Sequence, residues 1–470
     1  MSTQEKRSLS RREFLRFGAL GASAALLAAC QPQEKVVKET VIVGGTPQVV
    51  EKVVTAEPAP KQPVEIVFVN TASSDSSEQL YKPIYDKFRE AHPEITVRFL
   101  GVIPEGGWGG YFDKLAVLIA GGENPDLGKI PTEGGRLAVA RGLVVPLDEF
   151  IAKTPELEEY FEDVSPKLAQ VFVYGGKTYG LPYDYNNMMI WFNTNRLKEE
   201  GLDMPPEDWT FQDFLEYAKA LTRRDGDRIT HYGFQFWVAP FGLCPWLFNN
   251  GLEGIMGGDA LDEPLVTDPK YVEVIQFLYD LIYKHQVAPR MDAELAATFE
   301  TGTIGMMMAG RWPMSGFIQN DFYDYEVQYW PKGVRRVTEV GCGSWPIFAA
   351  SNHKEEAWTW ETWLLKKESI EYMVSTGANI PSRRSVGYSE DFIKLPRNSG
   401  KLWYESIDRD DIPVMSVTSP PDFSEMEQIL TRHHSKIFAN EAAIEPTLAQ
   451  CHKDLEEMVA RRSPEWADLF

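Results

Sequence analysis

Cysteine is scarce: four in 470 residues, Cys30, Cys244, Cys342 and Cys451. Setting Cys30 aside leaves at most one disulfide, so the chain is not a disulfide scaffold. No Cys-x-x-Cys pair offers a redox or zinc site, and the seven histidines form no His-Glu-x-x-His pattern. Basic residues are also outnumbered. Forty-seven Lys/Arg stand against 69 Asp/Glu, a formal net charge of −22. Such a balance argues against nucleic acid and anionic lipid as partners, since both require basic patches. Past residue 30 no apolar run approaches the roughly 20 residues of a membrane span. No Gly-x-Ser-x-Gly elbow and no phosphate-loop ending is present; "GVIPEGGWGG" has glycines without the terminal Lys-Ser/Thr. Nothing calls for a metal or a cofactor.

What is present begins with "SRREFLRFGALGASAALLAAC". Arg11 and Arg12 precede an apolar run, Phe17 to Ala29, of secretory length and too short to span. The order matches the twin-arginine export pattern, and "LLAAC" resembles a lipoprotein cleavage box. Residues 1–30 therefore read as a signal peptide, with Cys30 lipidated after cleavage. Its removal takes five basic and two acidic residues, moving the net charge from −22 to −25. Residues 31–63, rich in Val, Lys, Glu, Thr and Pro and without aromatics, read as a flexible tether. A Val-rich hairpin around Gly44-Gly45 is the competing reading.

Globular patterning starts at "VEIVFVN" (64–70), a continuous apolar run suited to a strand buried on both faces. "EQLYKPIYDKFREAHP" repeats Leu80, Ile84 and Phe88 at spacing four, as a helix does, and "ITVRFLG" alternates as a second strand. Strand, helix, strand implies a parallel α/β sheet with ligands at the carboxyl ends of its strands. Further helices are expected in "YFDKLAVLIAGG", in "DWTFQDFLEYAKALT" capped by Asp208 or Thr210, in "DPKYVEVIQFLYDLIYKHQ", and as one long helix in "NHKEEAWTWETWLLKKESIEYMV".

Six segments, in order, resemble one family: "YDKFREAHPEITV", "YFDKLAVLIAGGENPDL", "LAVARGLVVPLDEF", "GKTYGLPYDYNNMMIWFNTNRLKEEGL", "FETGTIGMMMAGRWPM" and "ANIPSRRS". The family is that of the extracellular solute-binding proteins of ABC importers, in the branch taking sugars and glycerol phosphates. The resemblance implies an α/β periplasmic-binding-protein fold: two lobes, three crossings and a ligand cleft between. It divides the chain into lobe one, 64–184 and 341–380, and lobe two, 188–338 and 383–470. It further implies a monomer, exported and lipid-anchored at the membrane, facing the periplasm or the exterior, that hands a carbohydrate to permease subunits.

A sugar needs flat rings under its C–H faces and polar side chains at its edge. Candidate stacking rings are Trp108, Trp246, Trp312 (at the family's stacking position) and Trp345. Trp246 lies in "PFGLCPWLFNNGLE", where Pro245 and Gly251 argue for an irregular segment with Asn249 as hydroxyl partner. Polar candidates at the first crossing are Tyr183, Asp184 and Asn187; Ser344 marks the second and Arg383 the third. Asn70, Asp75 and Glu133 follow strands, Asp75 also being placed to cap a helix. Met306 to Met308 read as adaptable core, and His433-His434 as a solvated helix patch. A glycosidase, using a carboxylate pair such as Asp184 with Glu133, is the enzymatic alternative. The segment order is that of a binder, so no enzyme activity is expected. Glycerol phosphate esters would demand several cations or N–H donors. The candidate segments are poor in lysine, which favours a mono- or oligosaccharide.

Overall fold

The computed structural model describes residues 34–43, 46–55, 63–291, 298–377 and 379–469. The expected signal peptide and Cys30 lie outside them. Between 31 and 63 the coil expectation gives way to a hairpin. Glu34–Val43 pairs antiparallel with Thr46–Thr55, Val43 opposite Thr46. The high β-branched content that denies this stretch a core also favours extended backbone.

The chain from Pro63 onward forms a separate unit. Its first sheet is parallel, with Val64–Asn70 between Ile95–Gly101 and Leu127–Gly128. The last five residues of Val64–Asn70 are all buried, as its apolar run demands. The helix Ser74–Ala91 crosses from the first to the second strand and buries Ser77, Tyr81, Ile84 and Phe88. Leu80 sits beside that stripe rather than in it. Phe68 collects the rings of Tyr81, Phe99, Trp345 and Trp360 within 6.2 Å, edge-on.

The second sheet is mixed, in the order Arg223–Asp225, Arg228–Gln235, Ile304–Ala309, Met189–Asn193, Tyr325–Gln328. Met306 and Met308 are buried in its core. Phe211–Ala220 and Pro269–Tyr283 form as expected; Thr210, not Asp208, caps the first in a reciprocal box with Asp213.

A third sheet is assembled from distant parts of the chain. Asp184–Asn186 pairs antiparallel with Thr338–Ser344 on one side and with Ile380–Pro381 on the other. The three crossings are thus neighbours in a single sheet. Ile130–Pro131 and Val414–Ser416 extend it from the two ends of Thr338–Ser344.

Three local expectations fail for identifiable reasons. "PFGLCPWLFNN" is a helix, Pro240–Asn249, despite Pro245. Residues 242–249 are all buried, and that packing outweighs one lost backbone bond. The long helix after His353 is two, Lys354–Leu364 and Lys367–Ser375, where the Ser369 hydroxyl takes the Trp363 carbonyl at 2.8 Å. His433 and His434 are 5% and 1% exposed, not solvated, because their helix Phe423–Phe438 packs on Ile444–Ala460 and on Trp108–Ala120.

Candidate ligand cleft

Strands deliver side chains to the site by where they stop. Val64–Asn70 ends one residue before Thr71, Arg228–Gln235 runs out two residues before Trp237, and Ile304–Ala309 ends three before Trp312. These three positions line one cavity of about 510 Å³, a size suited to a small ligand. The third sheet forms its floor through Asp184, Asn186, Gly341, Cys342 and Gly343. Trp108, Lys129, Pro131 and Glu133 line the cavity as well, together with Pro240, Phe241, Phe423 and Glu427.

The aromatic walls are rings held in place. Trp312 remains 39% exposed, with the Phe241 ring 6.0 Å away. Trp108 opens the helix Trp108–Ala120, parallel to Phe112 at 6.3 Å. Two glycines make this possible. A Cβ on Gly310 would strike the Trp312 ring, and one on Gly341 would meet Phe241 at 2.7 Å.

The polar groups are mostly acidic. Glu133, 3% exposed, is pushed up to about 7 by burial, with Glu427 adding to the push and Lys129 opposing it. Asp184 is raised by burial; Lys129, Tyr183 and the Gly343 N–H, which donates to Oδ1 at 3.1 Å, hold it back. Glu427 is raised by burial and eased by the Gly109 N–H, which donates to Oε2 at 2.8 Å. That bond joins the helix Phe423–Phe438 to the first turn of Trp108–Ala120, whose own cap, Gly107, has no side chain to offer. Behind the floor, Glu339 is buried with neither carboxyl oxygen partnered among the described residues, and its carboxyl is raised well above the usual range by burial and Glu133.

Four sequence candidates line the cavity: Trp108, Glu133, Asp184 and Trp312. The others stand elsewhere. Trp246 is fully buried among Phe211, Phe214, Phe277 and Trp330, because its segment is helical. Asn249 locks that helix's end, donating to the Pro245 carbonyl at 2.8 Å and accepting from Val337 N at 3.0 Å. Trp345 and Tyr183 stack on each other at 3.4 Å in the core. Asn187 donates to the Trp403 carbonyl at 3.1 Å, and Ser344 to that of Ile130 at 2.9 Å. Arg383 turns away to Glu159, Asp163 and the Leu365 carbonyl. Asn70 accepts from Thr71 N at 2.7 Å, one residue short of the cavity. Asp75 is exposed in the first turn of its helix, which Ser73 caps instead. Cys244 and Cys342 are both free thiols. Reading missed Trp237, Phe241, Lys129, Asn186, Phe423 and Glu427. The end-of-strand rule that found Glu133 also points to Trp237. Phe423 and Glu427, inside a late helix, carry no local signal.

Two α/β lobes, three adjacent crossing strands and one aromatic, polar-floored cleft define a solute-binding protein. The chain belongs to the bacterial extracellular solute-binding protein family, which it matches over residues 70–371. It is 25% identical over 308 residues to a binding protein of Brucella abortus, covering 61% of this chain and 69% of that one. An arabinooligosaccharide-binding protein of Halalkalibacterium halodurans is 25% identical over 223 residues, 44% of this chain and 45% of that one. Among solved structures, an ABC substrate-binding protein from Listeria monocytogenes in complex with cycloalternan superposes with a TM-score of 0.75. It shares 20% identity over 85% of this chain and 100% of that chain. Among the described residues, no helix is long and apolar enough to cross a membrane.

Proposed function

We propose that this protein captures a mono- or oligosaccharide between its lobes and delivers it to the permease of an ATP-driven importer. The observation that carries the reading is the cleft's chemistry: Trp108, Trp237, Phe241 and Trp312 around a floor of Asp184 and Asn186. Rings cover the apolar faces of a sugar while carboxylate and amide take its hydroxyls. The arabinooligosaccharide-binding relative and the cycloalternan complex support the same ligand class. Glycerol phosphates fit less well, because Lys129 is the one cation among the described lining residues. Asp184 and Glu133 act here as hydrogen-bond partners, not as a hydrolytic pair. The lobes are taken as 64–184 with 341–380 and 188–338 with 383–470, in line with the three strands that cross between the sheets. The leader "SRREFLRFGALGASAALLAAC" assigns twin-arginine export and a lipid on Cys30, which holds the protein to the membrane beside its permease.

The test is calorimetric titration of the purified protein with gluco-, manno- and arabino-oligosaccharides of one to five units. A micromolar ligand at millimolar concentration also stabilises the fold by about 4 kcal/mol, visible as a raised Tm. Binding without product release supports the reading; a panel silent in both measurements, or release of shorter sugars, rejects it. For the anchor, Cys30→Ala should move the protein from the detergent phase to the aqueous phase in Triton X-114 partitioning. Unchanged partitioning would exclude lipidation at Cys30.

A further inference from the structure

Glu133, Asp184 and Glu427 bring three carboxyl groups into a cleft whose described lining has one cation, Lys129. Glu339 lies just behind them, on the same strand face as the lining residues Gly341 and Gly343. Asp184 and Glu427 each accept one backbone N–H, from Gly343 and Gly109. Glu133 is different. It is 3% exposed, faces the cavity, and takes a hydrogen bond only from its own backbone among the described residues. A buried carboxyl held by a single backbone N–H is costly to ionise, and a group of them more so.

We propose, resting on the carbohydrate reading above, that the favoured ligand is a sugar bearing a free, protonated amine, and that this ammonium sits against Glu133 with Asp184 and Glu427 around it. The donor count fits. An ammonium brings three N–H donors and no acceptor, which is what three carboxylates lack. A neutral sugar hydroxyl brings an acceptor with every donor; Lys129, Asn186, Asn379, Thr71 and the indole N–H groups of Trp108, Trp237 and Trp312 can meet it, but of these only Lys129 carries a charge to set against three carboxyl groups. The same ring faces that stack on a sugar also attract a cation within about 6 Å.

The experiment is calorimetric titration of the purified protein at pH 7.5 with matched triplets. Glucosamine, galactosamine and their α- and β-linked di- and trimers are compared with the N-acetylated forms and the neutral parent sugars. The free amine should bind at least tenfold tighter than both counterparts in one triplet, with the margin shrinking in 0.5 M salt. Glu133→Gln should bring the ratio near one while Tm at pH 5 stays within a few degrees of wild type. If this variant fails to fold, the wild-type ratio alone decides. An N-acetylated or neutral sugar binding as tightly as its amine overturns the cation inference and leaves the carbohydrate reading standing. Spermidine binding while every sugar fails overturns the carbohydrate reading, and this proposal with it. Silence across all triplets and spermidine overturns the proposal as well.

Discussion

Trp312 and Trp246 differ by 66 positions in sequence and by everything in surroundings. Trp312 is 39% exposed and faces the cleft, so Trp312→Ala should weaken ligand binding by ~1–3 kcal/mol while Tm shifts by a few degrees at most. Trp246 has no exposed surface, so Trp246→Ala should cost about 3–5 kcal/mol in urea unfolding and leave the Kd of the folded fraction unchanged. A weakened Kd with intact stability for Trp246→Ala would return that ring to the cleft. Glu133 offers a proton-linked test. Its folded carboxyl titrates at about 7 against 4.5 for the free group. The folded state therefore holds the extra proton between those values, and stability falls as pH rises from about 4.5 to 7. The groups around it are Lys129, Glu427, Glu339, Cys244 and Cys342. Glu133→Gln should flatten that slope in ligand-free melts between pH 5 and 8; an unaltered slope would show that Glu133 is not its source. At this scale the sequence told residue types well and directions poorly. Six candidates, Tyr183, Asp184, Asn187, Ser344, Trp345 and Arg383, sit at or beside the crossing strands, yet only Asp184 lines the cavity, and Trp246, the seventh residue of a hidden helix, points into core.

The helix Trp108–Ala120 begins at Gly107, with no side-chain cap of its own. Its second amide is met by Glu427, which comes from the helix Phe423–Phe438 more than 300 residues later. Phe112 against Phe423 at 6.2 Å backs the contact. A capping bond of this kind contributes about 1–2 kcal/mol. Glu427→Ala should therefore shift the ligand-free protein toward an open form, seen as a larger radius of gyration in X-ray scattering. An unchanged radius would mean that this bond does not hold the elements together. Elements were the most legible level where periodicity governs: Val64–Asn70, Ile95–Gly101 and Phe211–Ala220 are where the pattern puts them. They were least legible where tertiary burial overrules a breaker, as at Pro245, or where a side chain ends a helix without one, as Ser369 does.

For the molecule as a whole, the parallel first sheet followed from one strand–helix–strand run, because that connection has few geometrical solutions. The two lobes and three crossings came only through family resemblance. Pairings such as Cys342 with Tyr185, 157 positions apart, leave no trace in local pattern. The hairpin within 34–55 is a short local pairing that its Val content and glycine pair offered only as the competitor to a tether, because the same residues lack the aromatics a core needs. Closure should be measurable directly. A saturating ligand should lower the radius of gyration, and Trp312→Ala should need proportionally more of it to do so. A radius that ligand does not alter would exclude hinge motion.

Asp184–Asn186 lies between the other two crossings, hydrogen-bonded to both. Three independent linkers would let the lobes slide, twist and splay separately. Three strands stitched edge to edge cannot move without one another, so lobe rotation reduces to a single coordinate. On the function proposed above, occupancy of the cleft would be converted into one number, an angle. The proposed permease, touching only the outer surfaces of both lobes, would then read that number without ever contacting the ligand. The same seam carries Asp184 in the cavity floor. The cavity-lining residue and the strand that joins the crossings are therefore one piece of backbone.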